Sequence, residues 1–361
     1  MDAPRDIPGG RTRAHFRGCL LGGAVGDALG AAVEFDSLSA IRSRFGPEGL
    51  RDFAPYAGRL GAITDDTQMT LFTAEALLRL EHLHLRERSD RLAGFGWRAY
   101  LRWLDTQGDG PRRRAARDDD GWLIRQRELH ASRGPGNTCL TSLREGRPGT
   151  PESPVNDSKG CGGVMRVAPA GFVAADPFRA ASELAALTHG HPTGWLSAGY
   201  LALLVHEVAG GATIDEGALR ALVELRRHPG HEETSAAVER ALALSRSPRA
   251  PALDVEALGA GWVAEEALAI GLFAALDAAD FEAGVLLAVN HSGDSDSTGA
   301  IAGSLLGAAM GESAIPRRWI DRLELREVIE RVADDLHRHH GAGSPPCPGE
   351  GSGCWSRYPP R

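Results

Sequence analysis

Glycine recurs at every fourth position twice in this chain, at Gly18, Gly22, Gly26 and Gly30 and again at Gly299, Gly303, Gly307 and Gly311. Glycine costs about 1 kcal/mol relative to alanine inside a helix, so eight at helical spacing need a structural return. A stripe of residues without side chains lets a second backbone approach closely, as small-residue faces do between membrane helices. The two stripes therefore predict two central helices in tight mutual contact. That contact would organise the rest of the fold around it.

The surrounding pattern is helical. Met69, Phe72, Ala76, Leu77 and Leu80 fall on one face of a 3.6-residue repeat. Similar faces run through 178–187, 196–208, 218–225, 236–244, 264–276 and 323–336, and period-two runs of β-branched or aromatic residues are nearly absent. With 45 glycines and only 6% aromatic residues, the core must rest on Ala, Leu and Val. The expected fold is all-α: a compact single-domain helical bundle spanning 12–340, with a functional site at helix ends.

Several segments invite other readings. Arg5, Arg11, Arg13 and Arg17 precede an apolar run and imitate a signal peptide, but Asp27 and five glycines interrupt that run. It reads as a buried helix, and no stretch reaches the length of a membrane span. A net charge of −8 argues against a general nucleic-acid surface. The five cysteines include no C-x-x-C pair, which suits reduced thiols and a cytoplasmic location. The Arg-, Asp-, Gly- and Pro-rich stretch 106–156 reads as a solvated insertion, and 341–361 as a disordered tail. His337, His339 and His340, just before that tail, read as an exposed helix end.

Chemistry concentrates in two acidic turns. Thr64-Asp65-Asp66-Thr67 opens one apolar helix; Asp294, Ser295, Asp296, Ser297 and Thr298 open the second glycine helix. Taken alone, Asp65 and Gln68 are spaced as a capping box, and acidic first turns suit the helix dipole. If both turns meet, four carboxylates converge, at a large electrostatic cost unless cations neutralise them. An all-oxygen donor set selects hard ions, Mg²⁺, Mn²⁺ or Ca²⁺, and four carboxylates suit two of them. Two independent capped helices that never meet are the alternative. A third segment, Asn156–Pro169, carries Ser158, Lys159, Gly160, Gly162 and Gly163 ahead of a helix expected near Val164. It is either a phosphate-cradling loop or a plain turn. His189 and His191 fall at a helix end before Pro192. No nucleophile elbow, P-loop, H-E-x-x-H or dinucleotide fingerprint occurs.

Together, "FRGCLLGGAVGDALGAAVEF", "ITDDTQMT", "NDSKGCGGVMRVAP", "THGHPTG" and "GDSDSTGAIAG", in this order, resemble the ADP-ribosylglycohydrolase family over most of the chain. The resemblance implies an all-α fold with two divalent cations, Mg²⁺ or Mn²⁺. Thr64, Asp65 and Asp66 match the family's first metal-ligand triplet. Asp294, Asp296 and Ser297 match the second, with Thr298 as the alternative hydroxyl. Glu34 matches an acidic residue on a mobile loop beside the metals, and acts with Asp65 and Asp296 in catalysis. Asp157, Ser158, Lys159, Gly160 and Gly162 match the diphosphate loop, and His189 a residue lining the ribose pocket. The implied reaction is hydrolysis of an N-glycosidic bond between ADP-ribose and a protein side chain, arginine foremost. Two alternatives stay open: an O-linked ADP-ribose, on serine, on acetate or in a polymer, and an immunity protein that occludes an ADP-ribosyltransferase toxin. The expected partner is an ADP-ribosylated protein, with the transferase itself as the second candidate.

Overall fold

A computed structural model describes residues 11–82, 91–108, 121–173, 175–246, 251–340 and 353–359. Arg5, Cys347 and most of the Arg112–Gly121 charge run lie outside the described residues. The described residues form an all-α bundle in which two isolated bridges, Tyr56 with Arg59 and Gly160 with Val263, are the extent of β pairing. No helix among them is long and apolar enough to cross a membrane.

The two glycine helices, Arg13–Gly30 and Ser295–Met310, lie against each other at the centre. A methyl placed on Gly18, Gly22 or Gly26 would overlap the carbonyl oxygens of Gly307, Gly303 and Gly299 respectively, and methyls on the second stripe would overlap the first in return. Backbone thus packs on backbone, with dispersion contacts that no larger residue permits. The register departs from a four-on-four match in two ways. Gly30 abuts the Ser295 carbonyl, at the mouth of the second helix. Gly311 is the C-cap rather than part of the helix, at φ 77°, its N–H donating to the Gly307 carbonyl, yet it still meets the first stripe: a methyl on Gly18 would lie 2.7 Å from its carbonyl carbon.

The other helices wrap this pair. Pro177–Ala186, Pro192–Ala209, Ile214–Leu225, Glu232–Ser245 and Ala264–Asp277 match the periodic segments within a few residues. The last long helix begins at Arg326, because Leu325 takes a left-handed φ of 56° and breaks the expected 323–336 run. Helices Leu92–Thr106, Asn137–Arg144 and Phe281–Val289 lie outside the expected periodic segments. Nearly all the buried apolar side chains form one continuous cluster.

Two expectations need correction. The described part of the 106–156 insertion is not a solvated loop: Leu123, Leu129, Cys139 and Leu143 are buried. Within 341–361, residues 353–359 form a short helix, Gly353–Arg357, and an end that packs on the bundle, with Cys354 and Tyr358 buried. Arg357 donates to both oxygens of buried Asp335, at 2.8 Å each. That segment covers part of the expected exposed helix end: His339 Nε2 lies 3.0 Å from Cys354 Sγ.

Candidate metal centre

The first glycine helix brings the two acidic turns to one place. On one side, buried Asp27 accepts from the Thr64 and Thr67 backbone N–H groups, at 3.0 and 3.1 Å, and from the Thr67 hydroxyl. These bonds fasten the mouth of the helix Asp65–Glu81 to the first glycine helix. At its C-terminal end, the Gly30 contact sets the second turn alongside, and the chain continues through a tight turn to Glu34. Phe35 follows at φ 69°, its N–H donating to the Gly293 carbonyl at 3.3 Å. A non-glycine residue at this φ is strained, and such strain persists only where surrounding structure enforces it.

Carboxylate oxygens of Glu34, Asp294 and Asp296 consequently lie within 4.8 Å of one another. Together with Asp65, Asp66 and Ser297 they line a cavity of about 340 Å³. Thr64 is buried beside it, its hydroxyl 3.4 Å from Asp66 Oδ2. Asp65 is tied by its backbone N–H to the Arg133 carbonyl, and its Oδ2 accepts from Gly136 N–H at 3.3 Å. Glu34 lies in the turn beyond Gly30 rather than on the helix itself. The capping box read from Asp65 and Gln68 is not made. Thr64 is the N-cap, accepting from Asp66 N–H, while Gln68 bonds the Ala131 carbonyl and Trp103.

Like charges crowd one another in this cluster. Burial, then the charge of Asp296, pushes Asp27 up to about 7 and Glu34 up to about 9. Asp65, Asp66 and Asp294 are driven well above the carboxylate range for the same two reasons, and Asp296 is raised by burial. No Lys or Arg among the described residues pairs with any of these six. Buried Asp66 Oδ1 accepts no hydrogen bond from the described residues. An orphaned carboxylate oxygen inside an all-oxygen cluster of like charges fits hard divalent cations.

The choice between neighbouring hydroxyls is clear from their partners. Thr298 Oγ1 donates among the backbone carbonyls of Ala288, Asp294 and Ser295 and meets His291, away from the cavity. Ser297 Oγ meets only sulfur, Cys161 at 3.7 Å and Met165 at 3.8 Å. Of the two hydroxyls, that of Ser297 is the one that lines the cavity.

The glycine loop forms another wall. Gly160, Gly162 and His189 line the cavity. A methyl on Gly162 would sit 3.0 Å from Cys139 Sγ and 3.1 Å from the His189 ring, closing the space. The helix expected near Val164 does not form: Cys161–Gly163 is a single 3₁₀ turn followed by further turns to Pro169. Lys159 and Asp157 are not in the cavity. Lys159 Nζ is held by Glu233 at 2.7 Å and Glu265 at 2.5 Å, and Asp157 is exposed. Ser158 lies just behind the wall, its hydroxyl accepting from Gly160 N–H and meeting Thr138.

His189 is fixed by a relay. Buried Arg166 donates to the Thr188 hydroxyl at 2.8 Å, and Thr188 Oγ1 lies 2.9 Å from His189 Nδ1. A hydroxyl that accepts from arginine can turn its own hydrogen to Nδ1, the arrangement that leaves the ring proton on Nε2, beside Gly160 and Gly162. Burial, with Arg166 adding to it, lowers His189 to about 3. His191 does something else: its Nδ1 caps the helix Pro192–Ala209 by accepting from Thr193 N–H.

Four contributors carry no signal in the sequence. Asp27 was seen only as a charge inside an apolar run. Cys161 Sγ donates to Asp294 Oδ2 at 2.8 Å. Phe35 and Trp262, both exposed, stack at 5.0 Å on the cavity lip.

The chain is similar to known proteins over most of its length. A profile described as ADP-ribosylglycohydrolase matches residues 9–345. An uncharacterised protein of Archaeoglobus fulgidus is 31% identical, over 90% of this chain and 96% of its own. The ADP-ribosyl-[dinitrogen reductase] glycohydrolase of Rhodospirillum rubrum is 26% identical, over 88% of this chain and 94% of its own. The ADP-ribosylarginine hydrolase Tri1 of Serratia proteamaculans is 23% identical, over 91% and 81%. A solved structure titled ADP-ribosylglycohydrolase-related protein complex superposes with a TM-score of 0.65 at 29% identity, over 90% of this chain and 98% of that one. With a profile matching nearly its whole length, the chain belongs to the ADP-ribosylglycohydrolase family, hydrolases that act on ADP-ribosyl bonds.

Proposed function

We propose that this protein releases ADP-ribose from arginine side chains of modified proteins, with two divalent cations, Mg²⁺ or Mn²⁺, held by Thr64, Asp65, Asp66, Asp294, Asp296 and Ser297. The observation that carries this reading is the convergence of both acidic turns and Glu34 on one cavity walled by a glycine loop. Arginine is favoured over an uncharged acceptor by the same cluster. Six carboxylates exceed the charge of two divalent ions, so the mouth stays attractive to a guanidinium. A relative described as an ADP-ribosylarginine hydrolase supports the same choice.

The cations supply Lewis acidity, positive charge that acidifies nearby water and attracts ribose hydroxyls. The chain's own groups do the rest. Asp65 or Asp296 accepts a proton from the attacking water as its oxygen bonds to C1 of the ribose. The C1–N bond breaks, its electron pair stays on the guanidine nitrogen, and the proton taken from the water is handed from the aspartate to that nitrogen. Positive charge develops on the ring, as in other glycoside cleavage, and the nearby carboxylates, Glu34 among them, stabilise it. His189 keeps a neutral ring and offers Nε2–H to a ribose or phosphate oxygen. Gly160 and Gly162 leave room for the diphosphate. Phe35 and Trp262 offer a flat apolar face at the lip to a purine ring.

Defined arginine-linked and serine-linked ADP-ribosyl peptides, incubated with and without Mg²⁺ or Mn²⁺ after chelation, test the reading. Metal-dependent release from the arginine peptide is expected; release from the serine peptide alone would overturn the arginine assignment. Asp65→Asn and Asp296→Asn should each lower turnover by at least about 100-fold with the helical circular dichroism unchanged. Near-normal turnover in both would remove these residues from the mechanism. Protection against a transferase by a ligand-dead variant would instead favour occlusion.

A further inference from the structure

Away from the acidic cavity, three side chains of a different chemistry converge where the last described residues meet the bundle. His82 ends the aspartate helix, His339 lies in the last turn of Arg326–His340, and Cys354 belongs to the docked helix Gly353–Arg357. Each offers one donor atom, and these atoms all lie within 4.8 Å of one another.

Their placement is enforced from several directions. Besides the Arg357–Asp335 pair, the Tyr358 hydroxyl donates to Asp335 at 3.2 Å, Arg79 Nη1 donates to the Pro359 carbonyl at 2.9 Å, and Trp122 N–H donates to the Arg357 carbonyl at 3.2 Å. His82 Nδ1 lies 2.6 Å from the Tyr358 carbonyl. A carbonyl only accepts, so Nδ1 carries the ring proton and Nε2 presents its lone pair. That arrangement, a backbone carbonyl fixing the tautomer from behind, is the usual support of a metal-binding histidine. The Trp355 ring packs on His82 at 4.9 Å and the His339 ring meets the His82 ring edge-on at 5.4 Å, so rings crowd around the half-buried histidines.

We propose that His82, His339 and Cys354 bind a zinc ion that fastens the C-terminal segment to the bundle. Two imidazoles and a thiolate are a borderline-soft set that selects zinc over the hard ions suited to the all-oxygen cavity. Binding forms a Zn–S bond and two Zn–N bonds while the Cys354 thiol releases its proton to solvent; a water completes the tetrahedron. The short His339–Cys354 contact is then the metal-free state of the same site.

The test uses the full-length protein, stripped of metals and resupplied with excess Mg²⁺ to occupy the acidic cavity, then titrated with Co²⁺. A near-ultraviolet thiolate-to-cobalt band is expected, saturating at one equivalent. It should vanish in Cys354→Ser and persist in Cys161→Ser, since Cys161 adjoins Asp294. In wild type, one equivalent of Zn²⁺ should slow alkylation of Cys354, read by peptide mass spectrometry, by at least about tenfold. Absence of the band in wild type, its survival in Cys354→Ser, or unchanged alkylation would each overturn the proposal. The alkylation readout needs no variant to fold.

Discussion

Asp27 shows how a residue that touches no substrate can govern a site. Its carboxylate takes two backbone N–H groups and one hydroxyl from the Thr64–Thr67 turn, and so sets the direction in which Asp65 and Asp66 point. Replacement by asparagine keeps the volume but turns one acceptor oxygen into a donor facing donors. Mg²⁺ or Mn²⁺ affinity, measured by calorimetry, should fall about 10- to 100-fold, as when other supports of metal ligands are lost. His189 leads to a second expectation. With its pKa near 3, it is neutral throughout the working range, so the pH profile of kcat/KM should contain no limb from an ordinary histidine. His189→Ala should raise KM up to about tenfold, the worth of one hydrogen bond, and leave the shape of that profile unchanged. A histidine limb near 6.5 that disappears in the variant would show instead that the ring titrates during catalysis. At this scale the sequence was legible where acids cluster in a short motif. It was illegible where a role depends on a partner far along the chain. Nothing local says that Asp27 reaches Thr64, that Lys159 is drawn off by Glu233 and Glu265, or that Cys161 lies on Asp294.

Among the elements, the paired glycine helices have the sharpest consequences. At Gly26, an added methyl meets the backbone of Gly299, which cannot swing aside as a side chain would. Gly26→Ala should therefore destabilise by on the order of 3 kcal/mol or more, from overpacking against backbone, and should weaken metal binding by separating the two mouths. Gly94, in the helix Leu92–Thr106, has nothing within 4 Å of the same added methyl. There the intrinsic preference acts alone, and Gly94→Ala should stabilise by up to about 1 kcal/mol. Chemical denaturation of the two variants side by side measures both; equal effects would mean that helix propensity rather than contact explains the stripe. Stripe and contact were readable from spacing because a four-residue repeat maps directly onto one helix face. The helices Leu92–Thr106 and Asn137–Arg144 were not, since their flanks are charged and glycine-rich and their burial comes from tertiary neighbours. The segment 353–359 with its short helix was hidden in the same way: its composition is that of a tail, and its order comes from Asp335, Arg79 and Trp122.

For the whole molecule, the acidic centre couples stability to pH and to metal. Without cations, the folded protein holds protons on Asp27 up to about 7 and on Glu34 up to about 9, while the unfolded chain releases them near 3.8 and 4.5. Across that window the folded state binds more protons, so raising the pH favours unfolding and stability declines toward the alkaline side. His189 acts at the other end. Its folded pKa near 3 lies below the unfolded 6.5, so the unfolded chain binds the extra proton and stability declines as pH falls through that interval. The two intervals overlap, so chelated protein should be most stable in acidic solution, at the pH where the extra protons of the folded carboxylates equal the extra proton of the unfolded histidine. Divalent cations replace the protons on the clustered carboxylates, so saturating Mg²⁺ or Mn²⁺ should flatten the alkaline decline and leave the acidic one in place. Melting temperatures recorded from acid to alkaline pH, with chelator and with metal, distinguish the cases. An alkaline decline that metal does not relieve would mean that the carboxylates gathered at the two helix mouths do not share a cation, whatever their separation.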